Sequence, residues 1–247
     1  MNFFHHSGDK TFKGYYCKHV CQHLKKAFPA LVSYNRFVEL KQQAVLPLML
    51  FVKFHGTKKC SGISFIDSFP LKSCHARRES SHKTFKNVAM KGKTSVGWFY
   101  GFKVHLVVSH TGEIIDFDIT PGNVADNNPG VVGKVTKKIF GKLFGDRGYI
   151  SQKLFKNLHK RGVELITKLK KNMKNKIMQI YDKFLLRKRG MIESVIAILK
   201  GDFCIEHTRH RSPTNFLENV CSALAAYIFK PAKPSIGLPK HLLSMAA

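Results

Sequence analysis

The sequence predicts an α/β protein in which a mixed sheet is flanked by helices and preceded by a helical N-terminal segment. Residues 10–55 have the hydrophobic spacing of helices, and from Gly62 onward the spacing becomes that of strands. Residues 142–169 then alternate strand, helix and strand, which is the pattern of a parallel βαβ unit. Of the 247 residues 44% are hydrophobic, including 20 Phe, and this content is enough for a packed core.

The N-terminal segment is expected to form a small helical bundle. A first helix covers residues 11–28 and ends at Pro29, and a second begins after Ser33, whose side chain is a good N-cap. The apolar residues 44–54 are expected to pack against both helices. The basic side chains of this segment would suit a helix-turn-helix that lies along DNA, but a solvated helix face explains them equally well.

Three strands are expected next. The alternation in residues 62–67 predicts a strand that ends at Asp67, and residues 75–97 are expected to form a long basic loop. Residues 98–108 and 113–119 are rich in β-branched and aromatic side chains, and residues 109–112 between them suit a turn. These two segments are expected to form an antiparallel hairpin.

The other half of the sheet is predicted from the βαβ pattern. A helix is expected before a short strand at residues 142–146, of which Asp146 is the last residue. Ser151 caps a helix at residues 152–161, and residues 163–169 return as a parallel strand. The result is a mixed sheet, although the pattern alone also permits other α/β layouts.

The last part of the chain is expected to be helical up to Lys200 and again over residues 213–229, where Ser212 is the cap and Pro213 the first helical residue. Prolines recur after this helix, and residues 231–247 are expected to be a disordered tail. The predicted division is thus a helical segment at 1–58, an α/β domain at 59–230 and the tail.

The charge of the chain indicates a polyanionic partner. Lys and Arg number 42 against 15 Asp and Glu, which gives 42 − 15 = +27, and the pI is near 10.0. Such an excess is typical of proteins that bind nucleic acid, and a membrane surface is the weaker interpretation. The longest apolar run, residues 44–54, is far shorter than the roughly 20 residues that span a bilayer, and no export signal begins the chain. A cytoplasmic protein without a membrane partner is expected.

Acidic residues are few, so their positions are informative. Asp67 and Asp146 both stand at the predicted ends of apolar strands, where the ligand sites of open α/β sheets are usually built. Glu193 shares one face of a predicted helix with Arg189 and Lys200, opposite an apolar stripe. Each feature alone is explained by a capping aspartate or a solvated helix face. Together, in so basic a chain, the three carboxylates indicate two-metal phosphoryl transfer, because their hard oxygens suit Mg²⁺ or Mn²⁺.

Four further polar residues are candidates for minor roles. Asp116 and Asp118 share one strand face and are explained as the polar side of a half-exposed strand. Asp126 lies in a turn and is expected to support the site. His105 is better explained as a structural or DNA-facing residue than as a base, since bound metal ions would activate the nucleophile themselves.

Five segments resemble bacterial insertion-sequence DDE transposases, in particular the IS nine-eighty-two group: GISFIDSFPL at 62–71, GWFYGFKVHL at 97–106, TPGNV at 120–124, FGDRGYI at 144–150 and HRSPTNF at 210–216. The resemblance implies a ribonuclease-H-like fold, with Asp67, Asp146 and Glu193 as the acidic triad that binds two Mg²⁺ or Mn²⁺ ions. Arg189, Glu193 and Lys200 match the spacing of the signature around the third carboxylate. Leu186 stands where that signature has a tyrosine.

The function that the resemblance implies is DNA transposition. A nick at the transposon end would be followed by attack of the freed 3′-hydroxyl on target DNA, with a homodimer on double-stranded DNA in the nucleoid of the bacterial cytoplasm. Family members carry more helical sequence upstream, so residues 1–58 are also expected to be a truncated DNA-binding segment. A catalytically inactive DNA-binding remnant or regulator is the alternative. An RNA-binding protein would explain the charge but not the placement of the triad.

The DNA contacts are expected from a basic loop, a lysine run and the surroundings of the triad. These residues are Arg77, Arg78, Lys83, Lys86, Lys91, Lys93, Arg147, Lys168, Lys170, Lys171, Arg189 and Lys200.

Overall fold

A mixed sheet forms the centre of the computed structural model, which describes residues 2–55, 60–168, 178–206 and 210–238. The strands in these residues are β1 (Ile63–His75), β2 (Met90–Thr94), β3 (Gly97–Ser109), β4 (Ile114–Pro121), β5 (Gly141–Gly145) and β6 (Val163–Thr167). The α-helices are α1 (Asn2–His6), α2 (Phe12–Tyr15), α3 (Cys21–His23), α4 (Tyr34–Lys41), α5 (Val45–Leu50), α6 (Pro129–Val135), α7 (Gln152–His159), α8 (Ile180–Arg187), α9 (Gly190–Gly201) and α10 (Pro213–Phe229). Short π-helical or 3₁₀ turns extend the N-terminal helices at Tyr16–Val20, Gln42–Ala44 and Phe51–His55.

Antiparallel and parallel pairing divide the sheet. β1 pairs antiparallel with β3, which in turn pairs antiparallel with β2 along its first half and with β4 along its second half. On its other edge β1 pairs in parallel with β5, and β5 pairs in parallel with β6. The strand order is therefore β2-β3-β1-β5-β6, with β4 also beside β3. The predicted hairpin, the predicted βαβ unit and the mixed α/β fold class are confirmed.

Each face of the sheet carries its own apolar core. Phe65 of β1 and Leu106 of β3 belong to a core that includes Val220 of α10 and the apolar stripe of α9. Ile66 and Val107, each one residue further along the same strands, belong to a second core with side chains of α6 and α7. Because successive side chains of a strand point to opposite faces, the apolar runs of β1 and β3 fill both cores.

The N-terminal helices are tied to α10. The ring of His5 hydrogen-bonds through Nδ1 with the carbonyl oxygen of Phe203 at 2.6 Å and through Nε2 with Ser222 Oγ at 2.8 Å. Burial lowers the pKa of His5 to about 4. Lys41 Nζ donates to the carboxylate of Glu218 at 2.8 Å, and Glu218 is fully buried. Removing either partner of this pair would leave a buried charge uncompensated.

Two expectations about the connecting segments are corrected. The loop predicted at 75–97 contains β2, because Met90–Thr94 pairs with the start of β3. Residues 231–238 of the predicted disordered tail pack against the β3–β4 turn. The N–H of Ile236 donates to the carbonyl oxygen of His110 at 3.0 Å, and Lys233 Nζ lies 3.5 Å from Glu113 Oε2. The reason is that Ile236 and Leu238 are apolar and reach the core despite the prolines around them; residues 239–247 lie outside the described residues.

In the parts of the chain that the structure describes, no helix is both long enough and apolar enough to cross a bilayer.

One aromatic ring anchors the β2–β3 hairpin. Phe99 is buried, and its ring covers two glycines: a Cβ atom added to Gly92 would come within 2.6 Å of the ring, and one added to Gly122 within 2.9 Å. The Cβ on Gly92 would also meet the carbonyl oxygen of Gly122 at 2.3 Å. Ring and backbone therefore approach too closely here for any residue other than glycine.

Gly92→Ala is expected to destabilise the protein by about 1–3 kcal/mol, because the new methyl group must displace Phe99 or the backbone at Gly122. Gly133→Ala is the matched control, since a Cβ atom there meets nothing within 4 Å and α6 should gain up to ~1 kcal/mol. The measurement is the free energy of unfolding in urea. Equal values for the two variants would contradict the close approach.

Candidate functional site

Asp67 lies just beyond the residues of β1 that pair with β5. The parallel pairing of β1 with β5 covers only Ile63, Ser64 and Phe65, whereas the pairing with β3 continues and sets Asp67 opposite Leu106. The expectation that Asp67 ends a strand is therefore wrong, because β1 runs on to His75 along β3. From Asp67 onward, however, the other edge of β1 has no strand pairing among the described residues, and this edge is where the site lies.

Asp146 follows β5 on the same side of the sheet. It is the N-cap of a 3₁₀ turn at Arg147–Tyr149, and its Oδ1 accepts the N–H of Gly148 at 2.6 Å. Since β1 and β5 are parallel, the residues that follow their paired segments lie at the same end of the pair. Asp67 and Asp146 therefore approach each other, although 79 positions separate them in the numbering, 146 − 67 = 79.

Arg189 joins the third carboxylate to the first. Arg189 is the N-cap residue of α9, and its Nη1 donates to Asp67 Oδ2 at 3.1 Å while its Nη2 donates to Glu193 Oε1. Glu193 lies in the first turn of α9, where a negative charge also interacts favourably with the helix dipole. The guanidinium group thus holds a helix carboxylate beside a strand carboxylate, and Asp146 is near enough for its charge to act on Asp67.

The electrostatics of Asp67 show how closely these groups interact. The pKa of Asp67 is raised from 3.8 to about 6, first by burial and then by the negative charges of Asp146 and Glu193. The N–H of Ser68 and the charge of Arg189 act in the opposite direction. An ionised Asp67 is therefore costly in this site unless positive charge is near it.

A fourth carboxylate borders the triad. Asp126 Oδ1 accepts hydrogen bonds from Ser68 Oγ at 2.5 Å and from Lys103 Nζ at 2.9 Å. A Cβ atom added to Gly148 would lie 2.8 Å from Asp146 Oδ1 and 3.7 Å from Asp126 Oδ2, so the two carboxylates are close neighbours. The supporting position expected for Asp126 thus agrees with its contacts.

Three residues of this environment were not among the predicted site residues: Ser68, Lys103 and Tyr149. Lys103 is buried within β3, and Tyr149 is almost fully buried. Burial and then the charges of Asp67, Asp126 and Asp146 raise the pKa of Tyr149 well above its usual value. A lysine in an otherwise apolar strand is the one sequence signal that points to Lys103, because such a side chain needs an acidic partner.

The donor set of the site fits a divalent cation. Mg²⁺ and Mn²⁺ prefer carboxylate oxygens, which Asp67, Asp146 and Glu193 supply. In this arrangement the positive charge between Asp67 and Glu193 is the guanidinium group of Arg189. Over the described residues, no three His, Cys, Asp or Glu side chains are grouped closely enough to hold one ion.

Most residues predicted to contact DNA are exposed. Six of them lie in residues 76–94, which we call the basic segment: Arg77, Arg78, Lys83, Lys86, Lys91 and Lys93. Arg147, next to Asp146, and Lys168 are exposed as well. Lys170 and Lys171 lie outside the described residues. The exposed cations thus lie in the basic segment, in the turn after β5 and directly after β6.

The two remaining predicted DNA contacts have protein partners. Arg189 is paired with Asp67 and Glu193. Lys200 Nζ lies 3.1 Å from Glu206 Oε2 and 5.5 Å from the centre of the Phe69 ring. Their cationic groups are therefore engaged within the protein in this arrangement.

Asp116 corrects a further expectation. It is buried rather than half-exposed, and its Oδ1 accepts a hydrogen bond from Lys53 Nζ at 2.6 Å. Asp118, on the same strand face, stays partly exposed and is 3.9 Å from Lys134 Nζ. The two carboxylates thus have different partners, since Asp116 pairs with Lys53 of the N-terminal part and Asp118 with Lys134 of α6.

His105 has a structural environment. It is fully buried on β3, its Nε2 hydrogen-bonds with Thr120 Oγ1 at 2.9 Å, and burial lowers its pKa to about 4. A neutral ring of this kind agrees with the structural interpretation.

Comparison with known protein families gives a match. A family model described as a transposase DDE domain matches residues 57–213, which is more than half of the 247 residues and includes Asp67, Asp146 and Glu193. No curated protein is significantly similar to the chain.

Asp67→Asn is expected to stabilise the metal-free protein above pH 6. A pKa raised from 3.8 to about 6 means that the folded chain favours the protonated carboxyl, so stability that is present below pH 4 is lost as the pH rises through 6. At pH 8 the free energy of unfolding of the variant should exceed that of the parent by up to about 3 kcal/mol, at ~1.4 kcal/mol per pKa unit. The loss of the ion pair between Arg189 and residue 67 reduces this gain.

The measurement is thermal unfolding with a chelator at pH 4 and pH 8. Asp118→Asn serves as the control, because a partly exposed carboxylate should change stability by no more than ~0.5 kcal/mol. A difference between Asp67→Asn and the parent that is the same at both pH values would contradict the raised pKa.

Proposed function

Because this chain belongs to the transposase DDE-domain family, we propose that it is a DNA transposase that cuts the ends of an insertion sequence and joins them to target DNA. The observation that carries the proposal is the pairing of Asp67 and Glu193 through Arg189, beside Asp146. The carboxylates can bind the metal ions that phosphoryl transfer uses. The charge of +27 favours binding to the phosphates of a phosphodiester substrate.

The proposal includes a finer classification. The strand order supports a ribonuclease-H-like fold, since the antiparallel strands β4, β3 and β1 are followed by the parallel strands β5 and β6. The spacing of Arg189, Glu193 and Lys200 supports the IS nine-eighty-two group. Leu186, in place of the tyrosine of that signature, is buried in the core and so takes a packing role instead.

The proposed cofactor is a pair of Mg²⁺ or Mn²⁺ ions, held by Asp67, Asp146 and Glu193. When bound, such ions generate a nucleophile from water at neutral pH and stabilise the leaving oxygen of an in-line displacement at phosphorus. With a pKa of about 6, Asp67 is mostly ionised at neutral pH and so can serve as a ligand. The N–H of Gly148 orients the carboxylate of Asp146.

The remaining residues of the site have positioning roles in this proposal. Arg189 holds Glu193 beside Asp67 and compensates their charge in the metal-free protein. Asp126 receives hydrogen bonds from Lys103 and from Ser68, so it fastens the loop after β4 to β1 next to Asp67. These hydrogen bonds hold the loop against β1 beside the triad.

The proposed partner is double-stranded DNA, at both the transposon ends and the target. The basic segment, Arg147 and Lys168 offer exposed cations for its phosphates, and Lys170 and Lys171 are proposed to add to them. Residues 59–230 would form the catalytic domain and 1–58 a DNA-binding segment. A homodimer on DNA in the bacterial nucleoid follows from the same resemblance.

DNA binding is expected to weaken steeply with salt, with a log–log slope of about −0.9 per phosphate neutralised on duplex DNA. Lys86→Ala removes one exposed cation of the basic segment, so it should weaken binding to all duplexes alike and make the slope shallower by about one. Lys134→Ala is the control, because Lys134 lies outside the basic segment and 3.9 Å from Asp118. Fluorescence anisotropy of labelled duplexes measures the affinity and its salt dependence for the parent and both variants. An affinity of the parent that does not depend on salt would contradict the electrostatic basis.

Asp67→Asn, Asp146→Asn and Glu193→Gln each remove one negative ligand and almost preserve the side-chain shape. Each should weaken Mg²⁺ or Mn²⁺ binding by about tenfold or more, since even the outer-shell partners of metal ligands are worth that much. Duplex binding should survive or become tighter, because negative charge is lost. Metal-dependent nicking of a duplex that contains a transposon end should be abolished.

The readouts are calorimetry for the ion and gel analysis for the nick. Asp118→Asn is the matched control and should behave as the parent in both, because it is partly exposed and only loosely paired. Asp116→Asn is unsuitable as a control, since it would leave Lys53 beside a neutral group in a buried position. If all three triad variants bind the ion as the parent does, the assignment of the triad is wrong.

A further inference from the structure

An exposed aromatic side chain with two lysines above it stands near the tip of the β2–β3 hairpin. Trp98 is 57% exposed, and the centre of its ring lies 5.4 Å from Lys91 Nζ and 5.5 Å from Lys93 Nζ. Val96, in the turn between the two strands, is 91% exposed. Neither Trp98 nor Val96 belongs to an apolar core of the described residues. A large apolar ring is thus left in water on a strongly cationic surface.

The fold imposes this exposure. Phe99 must face Gly92 and Gly122, which have no side chain to displace its ring. Because neighbouring residues of a strand point to opposite faces, Trp98 is directed to the other face. Lys93 is paired with Trp98 in the register, and Lys91 lies two residues away on the same face as Lys93. The packing of Phe99 therefore fixes the position of the two lysines around the Trp98 ring.

We propose that Trp98 is a stacking platform for an unstacked base of the bound DNA, with Lys91 and Lys93 holding the neighbouring phosphates. The proposal rests on the proposed function, because it takes DNA as the partner. An exposed aromatic ring beside a cationic groove is the arrangement with which proteins bind unpaired nucleotides. The charge of the surface is complementary to DNA, since the basic segment carries six Lys and Arg against Glu79 alone.

The register also gives the place on the DNA. Asp67 is opposite Leu106 of β3, and Trp98 lies 106 − 98 = 8 residues before Leu106. A strand of this length spans about 27 Å at ~3.4 Å per residue. At that distance from Asp67, Trp98 would contact the DNA away from the cleavage point and take no part in the chemistry itself.

The chain offers a direct probe of this contact, because Trp98 is its single tryptophan. With excitation at the long-wavelength edge of the tryptophan band, where the seven tyrosines scarcely absorb, the intrinsic fluorescence of the full-length protein reports on this residue only. The test titrates the protein with a single-stranded oligonucleotide and with a duplex of the same length, and it measures both the quenching of fluorescence and the access of acrylamide to the ring. The single strand is expected to quench and protect Trp98 strongly and the intact duplex weakly, since only unpaired bases offer a free face.

Substitutions separate stacking from charge. Trp98→Ala should weaken single-strand binding by about five- to hundredfold, which is what one stacked base contributes, and should leave duplex binding nearly unchanged. Trp98→Phe keeps an aromatic face and should retain most of the affinity. Lys93→Ala should weaken both kinds of DNA alike and make the salt slope shallower. Val96→Ala is the control at the neighbouring exposed position, with affinities like those of the parent.

Four results would overturn the proposal. If Trp98 stays accessible to acrylamide in the DNA complex, no base stacks on it. The same follows if Trp98→Ala binds the single strand as tightly as the parent. In either case, salt-dependent duplex binding would leave the proposed function standing. If the protein binds neither kind of DNA, both proposals fail. If acrylamide access falls with protein concentration in the absence of DNA, a second copy of the chain covers the ring instead.

Discussion

The buried carboxylate of Asp67 is the constraint on which the candidate site depends. It lies on a strand edge that β5 has just left, and burial raises its pKa to about 6. A charge in such a place must have a compensating partner, and Arg189 of α9 provides it at 3.1 Å. That single ion pair fixes the start of α9 against β1 and brings Glu193 beside Asp67. The geometry of the site thus follows from the cost of burying one negative charge.

The rest of the architecture keeps this strand edge in place. β1 is held by β3 along its whole length and by β5 at its start, and both faces of these strands are packed with apolar side chains. The parallel pair β1 and β5 places Asp67 and Asp146 at the same end of the sheet. Asp126 is attached from the other side through Lys103 of β3. Regular elements therefore position the carboxylates, with Asp67 in β1, Asp146 directly after β5 and Glu193 in α9, and such elements hold functional groups more accurately than loops do.

Two further ion pairs connect the N-terminal helices to this framework. Lys41 reaches the buried Glu218 of α10, and Lys53 reaches the buried Asp116 of β4. Because a buried carboxylate without its partner is costly, these contacts fix where the N-terminal helices lie on the α/β part. The basic segment is likewise more structured than a loop, since its last five residues form strand β2 and the contact of Phe99 with two glycines holds that strand in place. Lys91 and Lys93, which are proposed to contact DNA, are therefore carried on a hairpin with a defined face.

The sequence by itself determined the features that depend on neighbouring residues. The cap at Ser212 and Pro213 placed α10 at its observed start, the alternation of residues 98–119 predicted the hairpin, and the apolar strand before Asp146 placed that carboxylate at a strand end. The high positive charge and the resemblance to DDE transposases were likewise available from the residues alone, and the family match agrees with them.

Only the tertiary structure decided which distant groups meet. Asp67 lies inside a strand because β3 extends the pairing, and its partner Arg189 is 122 residues away. The buried Asp116 pairs with Lys53, which is 63 residues earlier in the sequence. Periodicity tells which face of an element a residue occupies, but it carries no information about what packs on that face. The free energy of a buried charge depends on that neighbour, so the environment of each carboxylate had to come from the fold.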